Sequence, residues 1–519
     1  MRGVVSCFSA WLAAGVLLAG VSASRQPPNV VIMLMDDMGW GDLGCNGEPN
    51  RETPNLDQMA REGLIVSSMY TAAPLCSPSR ASLLTGRLPI RNGFYSNNTA
   101  GRNAYTPQNI VGGISDDEVL LPELLKERGY TSGLVGKWHL GHQPQYLPRK
   151  HGFDFWFGSP NCHFGPYMDL VTPNIPVFLN DHMLGRYYKD FPINRNQGIS
   201  NMTQLYIDAA VGFINKEASK GPFFLLWAPD ATHAPTYASE KYYRTSRRGR
   251  YGNAVRELDA GVGTILDALR KQGVDNNTLV VFTSDNGAAL VSKQDGGSNG
   301  PFLCGKQTTF EGGMRAPGIF WWPGVISAGT TSHQVWTQMD LFSTAAQLAG
   351  VSPPQDRIYD GLPLANSFTY PQLEVPRPVF LYRGDRLMAV RRGASKIHLW
   401  TFSTPPAELQ KGINYCPGAE VPNVTTPTPT DHSGRPILFN VEVDPGERYP
   451  ISPSSSTYRN IVPMLLNVIR EHNEKLVPGE PQLNWCDRAV MHWAPPGCET
   501  LNECLPVPES HPTLCVWPH

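Results

Sequence analysis

Residues 29–37 read NVVIMLMDD, and this stretch decides the fold class. The run from Asn29 to Met35 is almost continuously apolar, which is typical of a strand buried on both faces of a sheet. Further apolar runs occur at 132–135, 222–228 and 278–283, and amphipathic helix patterns occur between them, for example at 54–62 and 120–128. This alternation predicts an α/β fold with a mixed, mostly parallel sheet flanked by helices.

The composition of the chain changes after the alternating region. A chain of 519 residues is too long for one ordinary core, and a proline-rich connection lies at 371–378. Short apolar runs separated by turn residues then predict a small antiparallel sheet, and a helical pattern follows at 458–475. These short runs lie at 379–382, 387–390, 396–400 and 437–441. We therefore predict a larger domain at 27–376, an antiparallel domain at 377–478 and an extended, disulfide-linked tail at 479–519.

The N-terminus has the pattern of a signal peptide at residues 1–23. Arg2 gives it a positive start, a mostly apolar stretch runs from Trp11 to Val21, and small residues up to Ala23 form a cleavage site. The alternative is a membrane anchor, but the apolar stretch is short and Arg25 follows it at once. No later stretch has the long uncharged apolar run of a membrane span. We therefore expect an exported protein.

Export leads to expectations for cysteines, asparagines and charge. Ten cysteines less Cys7 in the signal leave an odd number, so at least one is unpaired or modified. The formal net charge is −2, and protonation of the 13 histidines in an acidic compartment would make the chain cationic, which would suit a polyanionic substrate. Glycosylation is expected at four N-x-Thr sequences, which begin at Asn97, Asn201, Asn276 and Asn423.

Polar side chains follow four of the apolar runs. Because the carboxyl ends of parallel strands form the ligand-binding edge of an open α/β sheet, we expect these side chains to share one site. They are Asp36, Asp37, Lys137, His139, His233, Asp285 and Asn286. Four of the seven offer only carboxylate or amide oxygens, which suit calcium or magnesium better than zinc. The alternative for Asp285-Asn286-Gly287 is an ordinary turn.

Residues 76–86 read CSPSRASLLTG and form a second centre. Ser77 is suited to the N-cap of a helix, Pro78 to its first position, and Gly86 to its end. Cys76 would then lie just before a helix N-terminus, where free N–H groups favour an anion, and Arg80 could donate two hydrogen bonds to a sulfate or phosphate. The alternative is an ordinary capped helix with a buried cysteine.

The same residues match a family pattern. Residues 76–86 resemble the signature of the type I sulfatases, C-x-P-x-R continuing to T-G, and GKWHLG at 136–141 is similar to their second signature. Stretches at 88–94, 161–166 and 493–498 resemble one branch, the lysosomal sulfatases of galactosamine and galactose 6-sulfates. The resemblance implies an alkaline-phosphatase-like fold and covers most of the chain.

The resemblance also implies a cofactor set and roles. Cys76 would be oxidised to formylglycine by the formylglycine-generating enzyme, which reads Pro78 and Arg80, and the hydrated aldehyde would supply the attacking hydroxyl. One calcium ion would be held by Asp36, Asp37, modified Cys76, Asp285 and Asn286. Arg80 and the lysines would neutralise the negative charge of the sulfate. The residues implied to contact the sulfate, the nucleophile or the leaving oxygen are Lys137, His139, His233 and Lys306.

The resemblance further implies what the protein does and how it is built. It implies a lysosomal enzyme that hydrolyses 6-sulfate esters of N-acetylgalactosamine or galactose in chondroitin 6-sulfate and keratan sulfate. It also implies a homodimer, with no nucleic-acid or membrane partner. Three disulfides follow, Cys304–Cys416, Cys486–Cys515 and Cys498–Cys504, although the sequence alone allows other pairings. Cys45 and Cys162 then remain free beside Cys76.

Four other interpretations of the sequence compete with the proposed sulfatase of 6-sulfated sugars. Residues 300–306 spell G-x-x-x-x-G-K, but Gln307 stands where a phosphate-binding P-loop requires Ser or Thr. A related phosphatase or phosphodiesterase with two zinc ions would need a rich constellation of His and Asp, which the sequence lacks. A sulfatase of another sugar, or a protein that binds sulfated glycans without hydrolysing them, remains open at this stage.

Overall fold

A computed structural model describes residues 27–98, 108–164, 173–418 and 420–516. The predicted signal peptide at 1–23 lies outside the described residues. Within them, the largest element is an 11-stranded sheet. Its strands are β1 Asn29–Met35, β2 Leu64–Tyr70, β3 Thr131–Lys137, β4 Phe155–Ser159, β5 Pro176–Leu179, β6 His182–Arg186, β7 Phe223–Ala228, β8 Thr278–Ser284, β9 Arg315–Ala316, β10 Ile319–Trp321 and β11 Thr330–Thr337.

The strand order places the predicted strands at the centre of the sheet. The order is β11-β2-β10-β8-β1-β7-β3-β4-β5-β6, and β9 pairs with β2. The five consecutive strands from β8 to β4 run parallel, whereas β10, β5 and β6 pair antiparallel with their neighbours. The predicted mixed α/β sheet is therefore confirmed.

Two helical layers cover the two faces of this sheet. Side chains of β1 alternate between them, so Val30, Ile32 and Leu34 join one core cluster while Val31 and Met33 join the other. The first cluster includes residues of α2, α4 and α8, and the second includes residues of α1, α5 and α6. The helices are α1 Pro54–Glu62, α2 Cys76–Thr85, α3 Pro89–Asn92, α4 Leu121–Lys126, α5 Met202–Glu217, α6 Gly249–Lys271, α7 Glu311–Met314, α8 Gln338–Ala349, α9 Asn366–Thr369, α10 Pro406–Gln410, α11 Ser456–Glu474, α12 Arg488–Met491 and α13 Cys498–Leu501.

The C-terminal part forms the predicted small antiparallel sheet, with strand order β12-β13-β14-β17. The α11 helix packs against it through Leu465 and Ile469. The tail then returns to the large sheet, where Ile110 bridges to Cys486 and Cys498 joins the same core cluster as Met183 of β6. The remaining strands are β12 Pro378–Arg383, β13 Arg386–Arg392, β14 Ser395–His398, β15 Trp400–Thr401, β16 Thr430–Asp431, β17 Ile437–Asn440, β18 Trp485–Cys486 and β19 Thr513–Leu514.

The cysteine pairing agrees with the sequence prediction. The disulfides are Cys304–Cys416, Cys486–Cys515 and Cys498–Cys504. Among the described residues, Cys45 and Cys162 lie outside these disulfides, as predicted, and so does Cys76, whose predicted oxidation stays a prediction. The first disulfide links the C-terminal part to the loop that precedes α7, and this loop carries Lys306.

Candidate active site

The strand order explains why the predicted site residues meet. The neighbouring strands β8, β1, β7 and β3 run parallel, so their carboxyl ends lie side by side. Asp36 and Asp37 directly follow β1, and the other polar residues follow the three neighbouring strands. All of these side chains therefore reach one edge of the sheet, as the sequence predicted.

The helix that carries Cys76 begins earlier than the sequence predicted. Cys76 is its first residue and Leu75 is its N-cap, because Leu75 is extended and its carbonyl accepts a hydrogen bond from the Ser79 N–H. Ser77 was predicted as the N-cap, which is wrong. Gly86, with φ of 68°, ends the helix as predicted. All ten residues of this helix are buried.

Asp36 lies between the cysteine and a lysine. The Cys76 Sγ is 3.5 Å from Asp36 Oδ1 and 3.8 Å from Asp37 Oδ1. Lys137 Nζ donates to Asp36 Oδ2 at 2.7 Å. Both the lysine and the carboxylate are fully buried, so the attraction between them acts with little screening by water.

Asp37 is shared among groups from three loops. Lys306 Nζ donates to both of its carboxylate oxygens, at 2.6 and 2.8 Å. Asn286 Nδ2 donates to Asp37 Oδ1 at 2.7 Å, and His233 Nε2 lies 3.7 Å from Asp37 Oδ2. The Lys306 loop is held in place by the Cys304–Cys416 disulfide and by a hydrogen bond from Lys396 Nζ to the Thr309 carbonyl.

Arg80 contacts the carboxylate of Asp285. Its Nε and Nη2 donate to Asp285 Oδ2 at 2.9 and 2.8 Å, and its Nη1 donates to the Lys137 carbonyl at 3.1 Å. The Asp285 Oδ1 accepts the N–H of Asp37 at 3.2 Å. Arg80 therefore orients Asp285 and ties it to the end of β3.

Three carboxylates and three cations meet here. Burial favours the neutral acid, but Lys137, His233, Arg80 and Lys306 together hold the pKa of Asp36 well below its usual range. Burial and the adjacent Asp36 carboxylate raise the pKa of Asp285 to about 7. A cation that bound among these carboxylates would offset the repulsion that raises this pKa.

The pKa values of the thiol and the imidazoles of the site are shifted toward their neutral forms. Burial, followed by the Asp285 carboxylate, raises the pKa of Cys76 well above its usual value. Burial and Lys137 lower the pKa of His139 well below its usual value. Burial lowers the pKa of His233 to about 4, with Lys306 adding to the effect and Asp37 opposing it. An unmodified Cys76 would therefore be a thiol and a poor nucleophile.

The site opens into a cavity of about 150 Å³. Predicted residues at its surface are Asp37, Cys76, His139, His233 and Lys306. The sequence interpretation missed several wall residues, which come from loops without periodic patterns. They are Leu75, Cys162, Phe164, Ala234, Ala289, Val291, Ser292 and Gln307.

The carboxylate and amide oxygens of the site suit a hard divalent cation, whereas the Cys76 thiol and the His233 imidazole are softer donors. Asp36, Asp37, Cys76 and His233 each offer one ligand atom, and these atoms lie within 4.8 Å of one another. The Asn286 Oδ1 is buried and accepts no hydrogen bond from the residues that the structure describes, although the amide nitrogen of the same side chain is bonded to Asp37. A metal ligand role would satisfy this oxygen. His233 belongs to this group although the predicted ligand set did not include it.

Comparison with known protein families shows which family this chain matches. The sulfatase family model matches residues 28–351, and the model of the C-terminal region of aryl-sulfatase matches residues 375–506. The chain belongs to the sulfatase family. This sulfatase is 59% identical over 502 residues to N-acetylgalactosamine-6-sulfatase of Canis lupus familiaris, with 96% of each chain covered. Identity to N-acetylgalactosamine-6-sulfatase of Homo sapiens is 58% over 501 residues, again with 96% of each chain covered.

A solved structure supports the same fold. This sulfatase is similar to the PsFucS1 sulfatase from Pseudoalteromonas sp., with a TM-score of 0.74 and 28% sequence identity. The similarity covers 88% of this chain and 92% of that chain. The protein is therefore a sulfuric ester hydrolase with the alkaline-phosphatase-like fold of its family. Among the described residues, no helix has the length and apolar character that crossing a membrane requires.

Proposed function

We propose that this sulfatase hydrolyses the 6-sulfate esters of N-acetylgalactosamine or galactose in chondroitin 6-sulfate and keratan sulfate. The single observation that carries the proposal is the identity of 58–59% to N-acetylgalactosamine-6-sulfatases over nearly the whole chain. The chemistry of the cavity is compatible with it. Lys306 lies at the cavity surface and Lys137 lies behind it, and both can stabilise an anionic sulfate ester.

We further propose that one calcium ion binds at this site. Its ligands would be Asp36, Asp37, modified Cys76, Asp285 and Asn286, and bound calcium would supply two positive charges that neutralise the sulfate. Without it, the three carboxylates roughly balance Arg80, Lys137 and Lys306. The ion would therefore make the cavity cationic and suited to an anionic ester.

Cys76 is proposed to be converted to formylglycine by the formylglycine-generating enzyme. Its hydrated aldehyde would supply the attacking hydroxyl. The raised pKa of the Cys76 thiol supports this, because an unmodified side chain would not be a thiolate near neutral pH. Lys137 and Lys306 would hold the sulfate oxygens, His139 would face the modified residue, and His233 would donate a proton to the leaving sugar oxygen.

A substrate panel tests this proposal. Purified protein is incubated with N-acetylgalactosamine 6-sulfate, galactose 6-sulfate, N-acetylgalactosamine 4-sulfate and N-acetylglucosamine 6-sulfate, and released sulfate is measured by ion chromatography. We expect kcat/KM for the first two to exceed that for the others by at least about tenfold, which corresponds to roughly 1.4 kcal/mol. Preference for either other ester would contradict the proposed specificity. Binding without release of sulfate, with an unmodified Cys76 in the mass spectrum, would indicate a glycan-binding protein.

The pH dependence tests whether His233 donates a proton. Only the protonated imidazole can donate, and the pKa of His233 is lowered to about 4 in the free protein. We therefore expect kcat/KM to fall as pH rises from about 4.5 to about 8, a range around the ordinary histidine value of about 6.5. The fall in kcat should occur at higher pH, because the negative substrate raises the pKa in the complex.

The matched control is His472→Gln. The pKa of His472 is also lowered to about 4, but this residue lies in α11 against Tyr382. Its replacement should leave both pH profiles unchanged. A kcat that stayed flat across the range in the unaltered protein would exclude both His233 and His139 as the acid. A lysine would then have to take that role.

We also propose where the protein works and how it is organised. Its histidines and its expected export agree with delivery to the lysosome through the secretory pathway, and the family resemblance suggests a homodimer. We propose that 27–376 is the catalytic domain, and that the antiparallel domain at 377–478 and the tail at 479–519 support it. The contacts of Cys416 and Lys396 with the Lys306 loop favour this division.

A further inference from the structure

A buried ion pair lies beside the candidate active site. His163 Nδ1 is 2.8 Å from Asp230 Oδ2, and both side chains are fully buried. The same carboxylate oxygen accepts the His163 N–H at 3.1 Å, and the other oxygen accepts the Tyr237 hydroxyl at 2.7 Å. Neither His163 nor Asp230 was predicted from the sequence as a site residue.

The hydrogen bonds of His163 fix the orientation of its ring. Its Nε2 lies 2.9 Å from the Pro235 carbonyl oxygen, which can only accept a hydrogen bond. Its Nδ1 faces a carboxylate that also accepts two other donors. Burial favours a protonated Asp230, but His163 and Tyr237 hold the pKa of this acid below its usual value. The ring is therefore held at both nitrogens and cannot rotate without breaking these contacts.

The ion pair joins two walls of the cavity. His163 lies between Cys162 and Phe164, which line one wall, and Asp230 begins the loop that carries His233 and Ala234 in the other wall. The His233 N–H donates to the Asp230 carbonyl at 3.0 Å, and the rings of His163 and His233 are 6.0 Å apart. The pair thus sets the separation between His233 and the Cys162–Phe164 wall.

We propose that His163 and Asp230 are positioning residues, which fix His233 and the facing wall in the geometry required for hydrolysis. This inference rests on the proposed function of His233. The groups that contact the His163 ring are Asp230, the Pro235 carbonyl, and the rings of Tyr187, Tyr237 and His233. The two carboxylate oxygens of Asp230 connect His163 to Tyr237.

The test uses three variants and one control. Asp230→Asn and His163→Gln each break the pair, and the double variant replaces it with neutral groups, which avoids leaving a lone buried charge. Tyr237→Phe is the control, because it removes one hydrogen bond to Asp230 but keeps the ion pair. Measured quantities are kcat and KM on a 6-sulfated monosaccharide, and thermal unfolding.

We expect kcat to fall about 10- to 100-fold in the three variants, because a displacement of about 1 Å has such an effect on a positioned acid. KM should stay within about threefold, because the sulfate contacts are unchanged. Tyr237→Phe should stay within about threefold of the unaltered protein.

A second readout does not depend on turnover. Cys162 is a buried free thiol in the wall that the pair holds. Its alkylation by iodoacetamide, followed by peptide mapping, should be at least about tenfold faster in Asp230→Asn than in the unaltered protein or in Tyr237→Phe. If the unaltered protein released no sulfate, the proposed function would be wrong. The rates of Cys162 alkylation would still show whether the His163–Asp230 pair holds the cavity wall.

Four outcomes would overturn the inference. The first is a kcat within threefold of the unaltered protein in both single variants. The second is an equal loss of kcat in Tyr237→Phe, and the third is an unchanged rate of Cys162 alkylation. Failure of all three variants to fold would assign the pair to stability alone and would overturn it as well.

Discussion

Replacing Cys76 with serine should lower turnover by at least about a thousandfold, as loss of a catalytic nucleophile does in other hydrolases. Serine nearly preserves the size of the side chain, so the buried start of α2 should remain folded. It offers one hydroxyl, whereas the hydrated aldehyde proposed for Cys76 carries two. The measurement is sulfate release at saturating substrate, together with the mass of the peptide that contains residue 76.

The control is Cys45→Ser. Cys45 is also free but is only partly buried and is not among the residues that line the cavity. This substitution should change the rate less than about twofold, as expected for a change away from the site. A Cys76→Ser protein with normal turnover, or an active protein whose Cys76 peptide had the mass of an unmodified thiol, would contradict the aldehyde mechanism.

Asp285→Asn should reduce activity by at least about a hundredfold and abolish calcium binding at micromolar concentrations. Loss of outer-shell partners alone changes metal affinity about 10- to 100-fold, and Asp285 is proposed as a direct ligand. The substitution removes one of three carboxylates and the acceptor of two Arg80 hydrogen bonds. Turnover at increasing calcium measures the loss of activity, and calorimetry of calcium binding to the folded protein measures the loss of affinity.

Asp259→Asn provides the matched control. Asp259 is also a buried aspartate, but it lies in α6 and accepts hydrogen bonds from Asn55 and Leu56 at the start of α1. The Asp259→Asn protein should bind calcium with the affinity of the unaltered protein.

Calcium affinity of the unaltered protein should also weaken below about pH 7, because the raised pKa of Asp285 means that a proton competes with the ion. Unchanged calcium affinity in Asp285→Asn would show that the metal assignment is wrong.

The sequence predicted the central strands well because they are buried on both faces. Asn29–Met35 and Thr278–Ser284 read as continuous apolar runs, and the apolar run of each agrees with the observed strand almost to the residue. The helix Pro54–Glu62 was also predicted with its observed bounds, since Pro54 marks the first turn and the apolar positions recur at helical spacing. The pairing of β10 between β8 and β2 could not be predicted, because three residues carry no periodic signal.

The sequence also predicted which residues of the candidate site lie at the ends of strands. Asp36 and Asp285 were predicted because each is a charged residue directly after a buried strand, where burial without a partner or ligand is unfavourable. The same rule could have found Asp230, which follows β7 by two residues. Its partner His163 lies 67 positions earlier in a loop. A contact of this kind depends on the folded backbone, and no local pattern in the sequence indicates it.

The burial of α2 sets an order of events during synthesis. Cys76 and Arg80 are each 2% exposed in the folded chain and Pro78 is buried, so a second protein could reach this motif only by unfolding the helix and the core around it. An enzyme that oxidised Cys76 would therefore have to act before the large sheet and its helices assemble. If the proposed aldehyde is required for turnover, the yield of active molecules would depend on whether oxidation precedes folding. A chain that folded first would keep its thiol and would stay inactive.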